Sequence, residues 1–172
     1  MRLFLATLLV WALPHISVAG DETVQFDSDD PLMTAAMSAA RETLASFLDH
    51  TRGNGAWLHP DAEMKVALHT TAAARQLYDV AVEIIWVSDI ERNGETFTGR
   101  LANDPNMLGD LQFGDQVSFT QAQIRDWSLP GADGRMFGHY TTRVVLDRLP
   151  PEQAAGYREY LSETPAPAGW RP

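Results

Sequence analysis

The sequence predicts an α+β fold, because a helical pattern opens the domain, strand patterns follow, and a second helical pattern closes it. Apolar residues between positions 31 and 50 recur every three or four residues, the period of an amphipathic helix. Between 63 and 146, short apolar and aromatic segments alternate with turn residues, as in antiparallel strands. We therefore predict an N-terminal amphipathic helix and a C-terminal helix packed on a curved, partly barrel-like antiparallel sheet.

Residues 1–19 have the pattern of a secretory signal peptide. Arg2 forms a short basic region, an apolar run follows from 3 to 13, and Ser17 and Ala19 are the small residues of a cleavage site. The apolar run is shorter than the roughly 20 residues of a membrane-spanning helix. We therefore predict export, with cleavage after Ala19 and no membrane insertion afterwards.

The rest of the chain is predicted to form one domain. Without the signal peptide the chain has 172 − 19 = 153 residues, a length typical of a single domain with its own core. Residues 20–29 are polar and acidic, and we expect a flexible lead-in there. The domain should span 30–163, and the proline-rich tail at 164–172 is predicted to be disordered.

Two helices are predicted at the ends of this domain. The first runs from Pro31 to about His50, with Asp30 as a favourable N-cap before a proline at the first helical position. Its apolar side should dock on the sheet through Met33, Met37, Leu44 and Phe47. The second helix begins at Pro150-Pro151 and is predicted to continue to about Glu163.

The predicted strands are 63–69, 80–90, 96–101, 116–120, 124–127 and 137–146. The continuous apolar character of 80–90 indicates that both faces of that strand are covered. The segment 124–127 is short, and we therefore expect it at an edge of the sheet. Residues 70–77 fit either a helical turn or a loop between two strands.

The composition predicts an acidic protein that folds without disulfides, since the chain has no cysteine. The signal peptide contains Arg2 and no acidic residue, so the mature net charge is 12 − 23 = −11. This charge disfavours binding to nucleic-acid phosphates and to anionic lipid. We expect no nucleic-acid partner. The partner should be an unknown protein or small molecule, and the negative charge favours a basic one.

Several segments of the sequence together carry a family resemblance. They are Asp30-Pro31, Ile85-Trp86-Val87-Ser88-Asp89-Ile90, residues 97–105, Gly114-Asp115-Gln116-Val117, Ile124-Arg125-Asp126-Trp127 and Gly138-His139-Tyr140-Thr141-Thr142-Arg143. Through them the chain resembles the YegJ-like family, domain of unknown function 2314 (DUF2314), over most of its mature length. The resemblance implies a small exported or cytoplasmic α+β domain and implies no activity. The chain has Ile84 where the family often has histidine, so we expect no mechanism that needs an imidazole there.

We expect no metal site and no cofactor. The histidines beyond the signal peptide are His50, His59, His69 and His139, and no two of them have the i, i+4 spacing of a helical ligand pair. Without cysteine, a metal site would require histidine together with carboxylates.

A small hydrolase-like enzyme is one alternative function. Asp126 and His139 would form its general-base pair, in which the carboxylate orients the imidazole. The candidate nucleophiles are Ser88, Ser118, Thr141 and Thr142. None of them lies in a Gly-x-Ser-x-Gly motif, and an Asp at a strand end more commonly caps backbone N–H groups.

A recognition surface is the leading interpretation, because aromatic residues beside arginines are enriched in binding hot spots. The candidate binding residues are Trp86, Asn103, Asp104, Arg125, Trp127, Tyr140 and Arg143. We therefore expect an exported, periplasmic, non-enzymatic binding or accessory protein of the cell envelope. The remaining alternative is a structural or stress-related envelope protein without a discrete site.

The signal pattern generates the first prediction. Protein recovered from the periplasm should begin at Gly20, because Ser17 and Ala19 fit a signal-peptidase site. Intact-mass spectrometry of the purified periplasmic protein measures this directly, and a mass that still includes residues 1–19 would contradict the prediction.

Overall fold

The computed structural model describes residues 30–53 and 55–170, so the predicted signal peptide and lead-in lie outside the described residues. The described α-helices are Pro31–His50 (α1), Ala72–Tyr78 (α2), Tyr140–Leu146 (α3) and Pro151–Tyr160 (α4). The described strands are Glu63–His69 (β1), Val82–Asn93 (β2), Thr96–Leu101 (β3), Gln116–Thr120 (β4), Ile124–Pro130 (β5) and Met136–Gly138 (β6). Within these ranges, no helix combines the length and the apolar character needed to cross a membrane.

The six described strands form one open antiparallel sheet in the order β4-β3-β2-β1-β5-β6. β1 therefore lies between β2 and β5, although β5 is distant from β1 in sequence. The helix α1 packs across one face of the sheet, mainly against β5. The predicted α+β class and the packing of helices on the sheet are confirmed.

The helix α1 has the predicted bounds. Asp30 Oδ1 accepts a hydrogen bond from the backbone N–H of Met33 at 3.1 Å, as expected of an N-cap. Of the residues predicted to dock on the sheet, Leu44 and Phe47 are buried, whereas Met33 and Met37 are only partly buried. The helix is therefore anchored by its C-terminal half.

Three strands, β1, β3 and β4, also have the predicted bounds. The strand β2 begins two residues later than predicted and continues to Asn93. The prediction that both faces of β2 are covered is wrong, because Ile84, on the side away from α1, is 41% exposed. Residues 70–77, where the pattern was ambiguous, contain most of α2.

The predicted edge position of 124–127 is wrong. The strand β5 extends to Pro130 and lies inside the sheet, between β1 and β6. On this side of the sheet the edge strand is β6. Its three residues are too few to produce a recognisable alternation of apolar and polar residues.

The predicted strand 137–146 is also wrong, because β6 ends at Gly138 and α3 begins at Tyr140. Gly138 and His139 have φ angles of 78° and 54°, left-handed conformations that interrupt an extended strand. A Cβ atom at position 138 would lie 1.9 Å from the carbonyl oxygen of Trp127, so only glycine fits. The β-branched residues of α3 favoured a strand, and the tertiary contacts described below favour the helix.

Residues 164–170 of the tail, which were predicted to be disordered, have defined contacts with the rest of the domain. The Trp170 ring lies 5.4 Å from the Trp127 ring and 4.4 Å from the His50 ring. The Gly138 N–H donates to the carbonyl oxygen of Pro165 at 2.6 Å. Residues 164–170 therefore lie against the core despite their proline content. The helix α4 ends at Tyr160 rather than near Glu163.

Trp127 lies at the centre of the core between α1 and the sheet. Its side chain is fully buried, and the Phe47 ring stacks on it at 4.9 Å. Its Nε1–H donates to the carbonyl oxygen of Ala40 at 3.1 Å, so the indole is satisfied inside the core. The same ring contacts Tyr140 at 5.8 Å and thereby joins α1, β5 and α3.

This packing generates the second prediction. Trp127→Ala should lower the free energy of unfolding by about 3–5 kcal/mol, because it removes a fully buried aromatic side chain. Trp57→Ala is the matched control, since Trp57 is 54% exposed and its loss should change stability by about 0.5 kcal/mol. Denaturant melts of both variants give the two values, and similar losses in both would show that Trp127 is not central to the core.

Candidate functional site

The face of the sheet opposite α1 carries a group of polar and aromatic side chains. In the antiparallel register, Lys65 on β1 lies directly opposite Trp86 on β2 and directly opposite Asp126 on β5. Glu63 on β1 is paired in the same way with Ser128 on β5. Directly opposed residues of antiparallel strands point to the same side. These five side chains therefore share one face, which we call the polar face.

Two residues from outside the strands border the polar face. The His139 ring lies 5.0 Å from the Trp86 ring and 5.9 Å from the Tyr160 ring of α4. Lys65 Nζ lies 5.3 Å from the centre of the Trp86 ring. Tyr160 is 49% exposed, so its ring contacts His139 on one side and is open to solvent on the other.

The Asp126 carboxylate is fully buried and fixes the start of α3. Its Oδ1 accepts hydrogen bonds from the N–H groups of Trp127 at 2.9 Å and Tyr140 at 3.1 Å. Its Oδ2 accepts from both the N–H and the hydroxyl of Thr141 at 2.7 Å. Burial raises the pKa of this carboxyl, whereas the hydrogen bonds from Thr141 lower it. Tyr140 and Thr141 are the first residues of α3, so Asp126 satisfies N–H groups that a helix leaves unpaired.

Within the described part of the chain, the hydrogen bond between Asp126 and His139 that the hydrolase-like alternative requires is not formed. The four donors named above occupy both oxygens of the carboxylate. His139 Nδ1 instead lies 3.3 Å from the hydroxyl oxygen of Thr142. Thr141, one of the candidate nucleophiles, donates its hydroxyl hydrogen to Asp126 rather than to an imidazole base. This arrangement gives no support to the hydrolase-like alternative.

Two buried side-chain atoms at the site, Ser128 Oγ and His139 Nε2, have no hydrogen-bond partner among the described residues. Buried polar atoms are almost always paired in native proteins. Glu63 is partly buried, and burial alone raises the pKa of its carboxyl, with no charge or hydrogen bond from a described residue to offset it. A hydroxyl and an imidazole nitrogen without partners among the described residues thus lie at one site with the partly buried Glu63 carboxylate.

Two of the predicted binding residues are core residues instead. Trp127 is fully buried under α1, on the opposite face of the sheet from Asp126. Tyr140 is also buried, and its hydroxyl lies 2.9 Å from that of Thr43 in α1. Neither ring is therefore presented to a partner.

Four other predicted binding residues hold the nearby backbone through their side chains. Asn103 bonds to the N–H of Trp86, Asp104 to the N–H of Phe113, Arg125 to the carbonyl of Ala122, and Arg143 to the carbonyl of Ser162. Asn103 thereby helps to position Trp86, the predicted binding residue that does lie on the polar face. The others act mainly on loops and on the tail.

Sequence reasoning missed Glu63, Lys65, Ser128 and Tyr160 as site residues. The alternation in β1 does indicate that Glu63 and Lys65 share a face. Ser128 lies beyond the predicted end of its strand, so no pattern connected it with Glu63. Tyr160 comes from a helix whose packing depends on α3 and the tail, which no local pattern specifies.

A separate cleft of about 330 Å³ lies between the end of α1 and the β2–β3 turn, lined in part by Arg52, Trp57 and Arg92. Arg52 lies 3.5 Å from Asp49, and Arg92 Nε donates to the carbonyl oxygen of Gly94 at 3.0 Å. Neither of the two unpaired buried atoms lines this cleft. Among the described residues, no three His, Cys, Asp or Glu side chains are placed to hold a metal ion. We therefore place the candidate site at the polar face.

The burial of His139 generates the third prediction. Its pKa is lowered from 6.5 to about 4, first by burial and then by the charges of Lys65 and Arg143. As the pH falls from 6.5 towards 4, the unfolded chain binds a proton that the folded chain does not bind, so the free energy of unfolding decreases. A shift of this size corresponds to roughly 3 kcal/mol. Above pH 6.5 both states are neutral, and the contribution is constant.

Denaturant melts between pH 7 and pH 4 on the wild type and on His139→Asn test this dependence. Asparagine does not titrate and tolerates the left-handed backbone conformation at this position. The variant should lose less stability than the wild type over this range. Equal losses in the two proteins would show that His139 does not couple protonation to folding.

Comparisons with known proteins agree with the resemblance seen in the sequence. Residues 30–162 match the family model described as "Uncharacterized protein conserved in bacteria (DUF2314)". The chain is also 24% identical over 160 residues to "Uncharacterized protein YegJ" of Escherichia coli (strain K12), an alignment that covers 92% of this chain and 96% of that protein. No solved structure matches the chain. The protein thus belongs to the bacterial DUF2314 family, as the match over nearly all of its described residues shows.

Proposed function

We propose that this protein is an exported, periplasmic, non-enzymatic binding or accessory protein of the cell envelope. Its binding surface is the polar face together with His139 and Tyr160. The signal pattern of residues 1–19 supports export. The saturated hydrogen bonding of Asp126 supports a binding role over a catalytic one, because a fully engaged carboxylate does not orient a base.

One observation carries this proposal: Ser128 Oγ and His139 Nε2 are buried at the site without a partner among the described residues. A buried polar atom without a hydrogen bond destabilises a fold by about 1–3 kcal/mol. A partner that supplies the missing hydrogen bonds recovers this free energy when it binds. The two atoms therefore favour a bound state over the isolated protein.

The aromatic side chains around these atoms also support recognition. Trp86 is partly buried, and Tyr160 is 49% exposed. Tryptophan and tyrosine offer large apolar surfaces with a polar edge, which makes them frequent in binding hot spots. The mature net charge of −11 attracts basic partners over a longer range.

This function generates the fourth prediction. Tyr160→Ala should reduce recovery of cross-linked partners from envelope extract by about tenfold or more, because it removes an exposed aromatic residue from the site. Tyr157→Ala is the matched control, since Tyr157 lies on the same helix and is 52% exposed. Thermal melts should show that both variants remain folded.

The two recoveries decide between the proposal and its alternative. A loss confined to Tyr160→Ala supports binding at the polar face. Equal recovery with the wild type, Tyr157→Ala and Tyr160→Ala would contradict that surface and favour a structural protein without a discrete site.

A further inference from the structure

We infer that Glu63, Ser128 and His139 form a recognition site for a primary ammonium group, the group carried by a lysine side chain of a basic partner. The inference rests on the proposed binding function and adds the chemical group that the polar face recognises.

The hydrogen-bonding capacities of the three residues match those of a primary ammonium group. An ammonium group has three N–H donors and no acceptor. The tautomer of His139 in which Nδ1–H donates to Thr142 leaves Nε2 as an acceptor. The Ser128 hydroxyl and the Glu63 carboxylate supply the other two acceptors. Two buried acceptors without partners among the described residues, together with the partly buried Glu63 carboxylate, thus match the three donors of such a ligand.

The backbone brings these three residues together. Glu63 and Ser128 are directly paired across β1 and β5, which places their Cβ atoms about 4.5–5.5 Å apart. Ser128 is in turn paired with Gly138, and His139 is the next residue. The Tyr160 ring lies 5.9 Å from the His139 ring, and burial, followed by the Glu63 charge, raises the pKa of Tyr160. The strand pairing therefore places the three residues next to one another on the polar face.

The Glu63 carboxylate supplies a negative charge next to Ser128, its partner across β1 and β5. Lys65 is paired with Asp126, whose pKa is raised by burial and lowered to a smaller extent by the Thr141 hydrogen bonds and the Lys65 charge. Lys65 Nζ also lies 3.5 Å from the hydroxyl oxygen of Thr141. Arg143 donates to the backbone carbonyl groups of Gly138 and Ser162. Glu63 thus supplies the negative charge of the proposed site, and a bound cation would lie near it despite the positive charges of Lys65 and Arg143 that act on His139.

Access and aromatic contact both involve Tyr160. Ser128 is fully buried, so a ligand reaches it only after a side chain moves. Tyr160 is half exposed at the last residue of α4, and rotamer changes of exposed side chains are fast. A cation held beside the Tyr160 ring is also attracted by the face of that ring.

The inference is tested by titrating the mature protein with small ions of matched size. Binding is measured through the NMR signals of the His139 ring. Propylammonium supplies three N–H donors, tetramethylammonium supplies charge without donors, and propionate supplies the opposite charge. Propylammonium should bind and shift the His139 signals, and the other two ions should not.

The residue variants test whether Glu63 holds the ligand. Glu63→Gln should weaken propylammonium binding by about tenfold to a hundredfold, because it replaces a charged acceptor with a neutral one of the same shape. Glu152→Gln, on the exposed first turn of α4, should leave binding unchanged. Thermal melts of both variants check that they remain folded.

A further pair of probes distinguishes a lysine side chain from a free amine. N-acetyl-lysine methylamide should bind at least as tightly as propylammonium, and its trimethylated form, which lacks N–H donors, should not bind. Tighter binding of propylammonium would overturn the assignment to a lysine side chain.

Three results would overturn the inference. They are equal binding of tetramethylammonium, preferential binding of propionate, and no binding of propylammonium. If the last result accompanies a selective loss of partner recovery in Tyr160→Ala, the ammonium assignment fails and the binding function stands. If partner recovery is also unchanged, both fail.

Discussion

The buried carboxylate of Asp126 is the interaction on which the site depends. A buried charge destabilises a fold unless hydrogen bonds compensate for its lost hydration. Here four donors, from Trp127, Tyr140 and Thr141, meet its two oxygens. These donors come from β5 and from the first residues of α3. The carboxylate therefore joins the interior strand β5 to α3, whose first residue, Tyr140, comes 14 residues after Asp126.

This connection explains the unusual backbone between β6 and α3. The chain must turn sharply for Tyr140 and Thr141 to reach Asp126, and it does so through left-handed residues at Gly138 and His139. The turn directs the His139 ring towards Trp86 on the polar face. The imidazole is therefore placed as a consequence of how α3 is anchored, and its Nε2 has no hydrogen-bond partner among the residues that the structure describes.

The sequence predicts the parts of the fold that depend on local pattern. The caps and period of α1 and the alternation in β1, β3 and β4 reproduce their bounds, because each signal lies within the segment itself. The interior position of β5, the short strand β6 and the helix α3 depend on partners distant in sequence. The candidate site shows the same division. The sequence pattern singles out Trp86, Asp126 and His139 as candidates, whereas Glu63, Ser128 and Tyr160 meet only through tertiary structure.

The alternation of β5 separates stability from recognition within a single strand. Trp127 points to the α1 face and holds the core, while its neighbours Asp126 and Ser128 point to the polar face. A substitution at Trp127 should therefore act mainly on folding, and one at Ser128 mainly on the groups offered to a partner. Asp126 lies on the polar face, yet it acts on the fold, because it anchors α3 from that side. Sequence reasoning assigned Asp126 to a catalytic pair and Trp127 to a recognition surface, whereas the sheet places these neighbours on opposite faces and gives both a structural role.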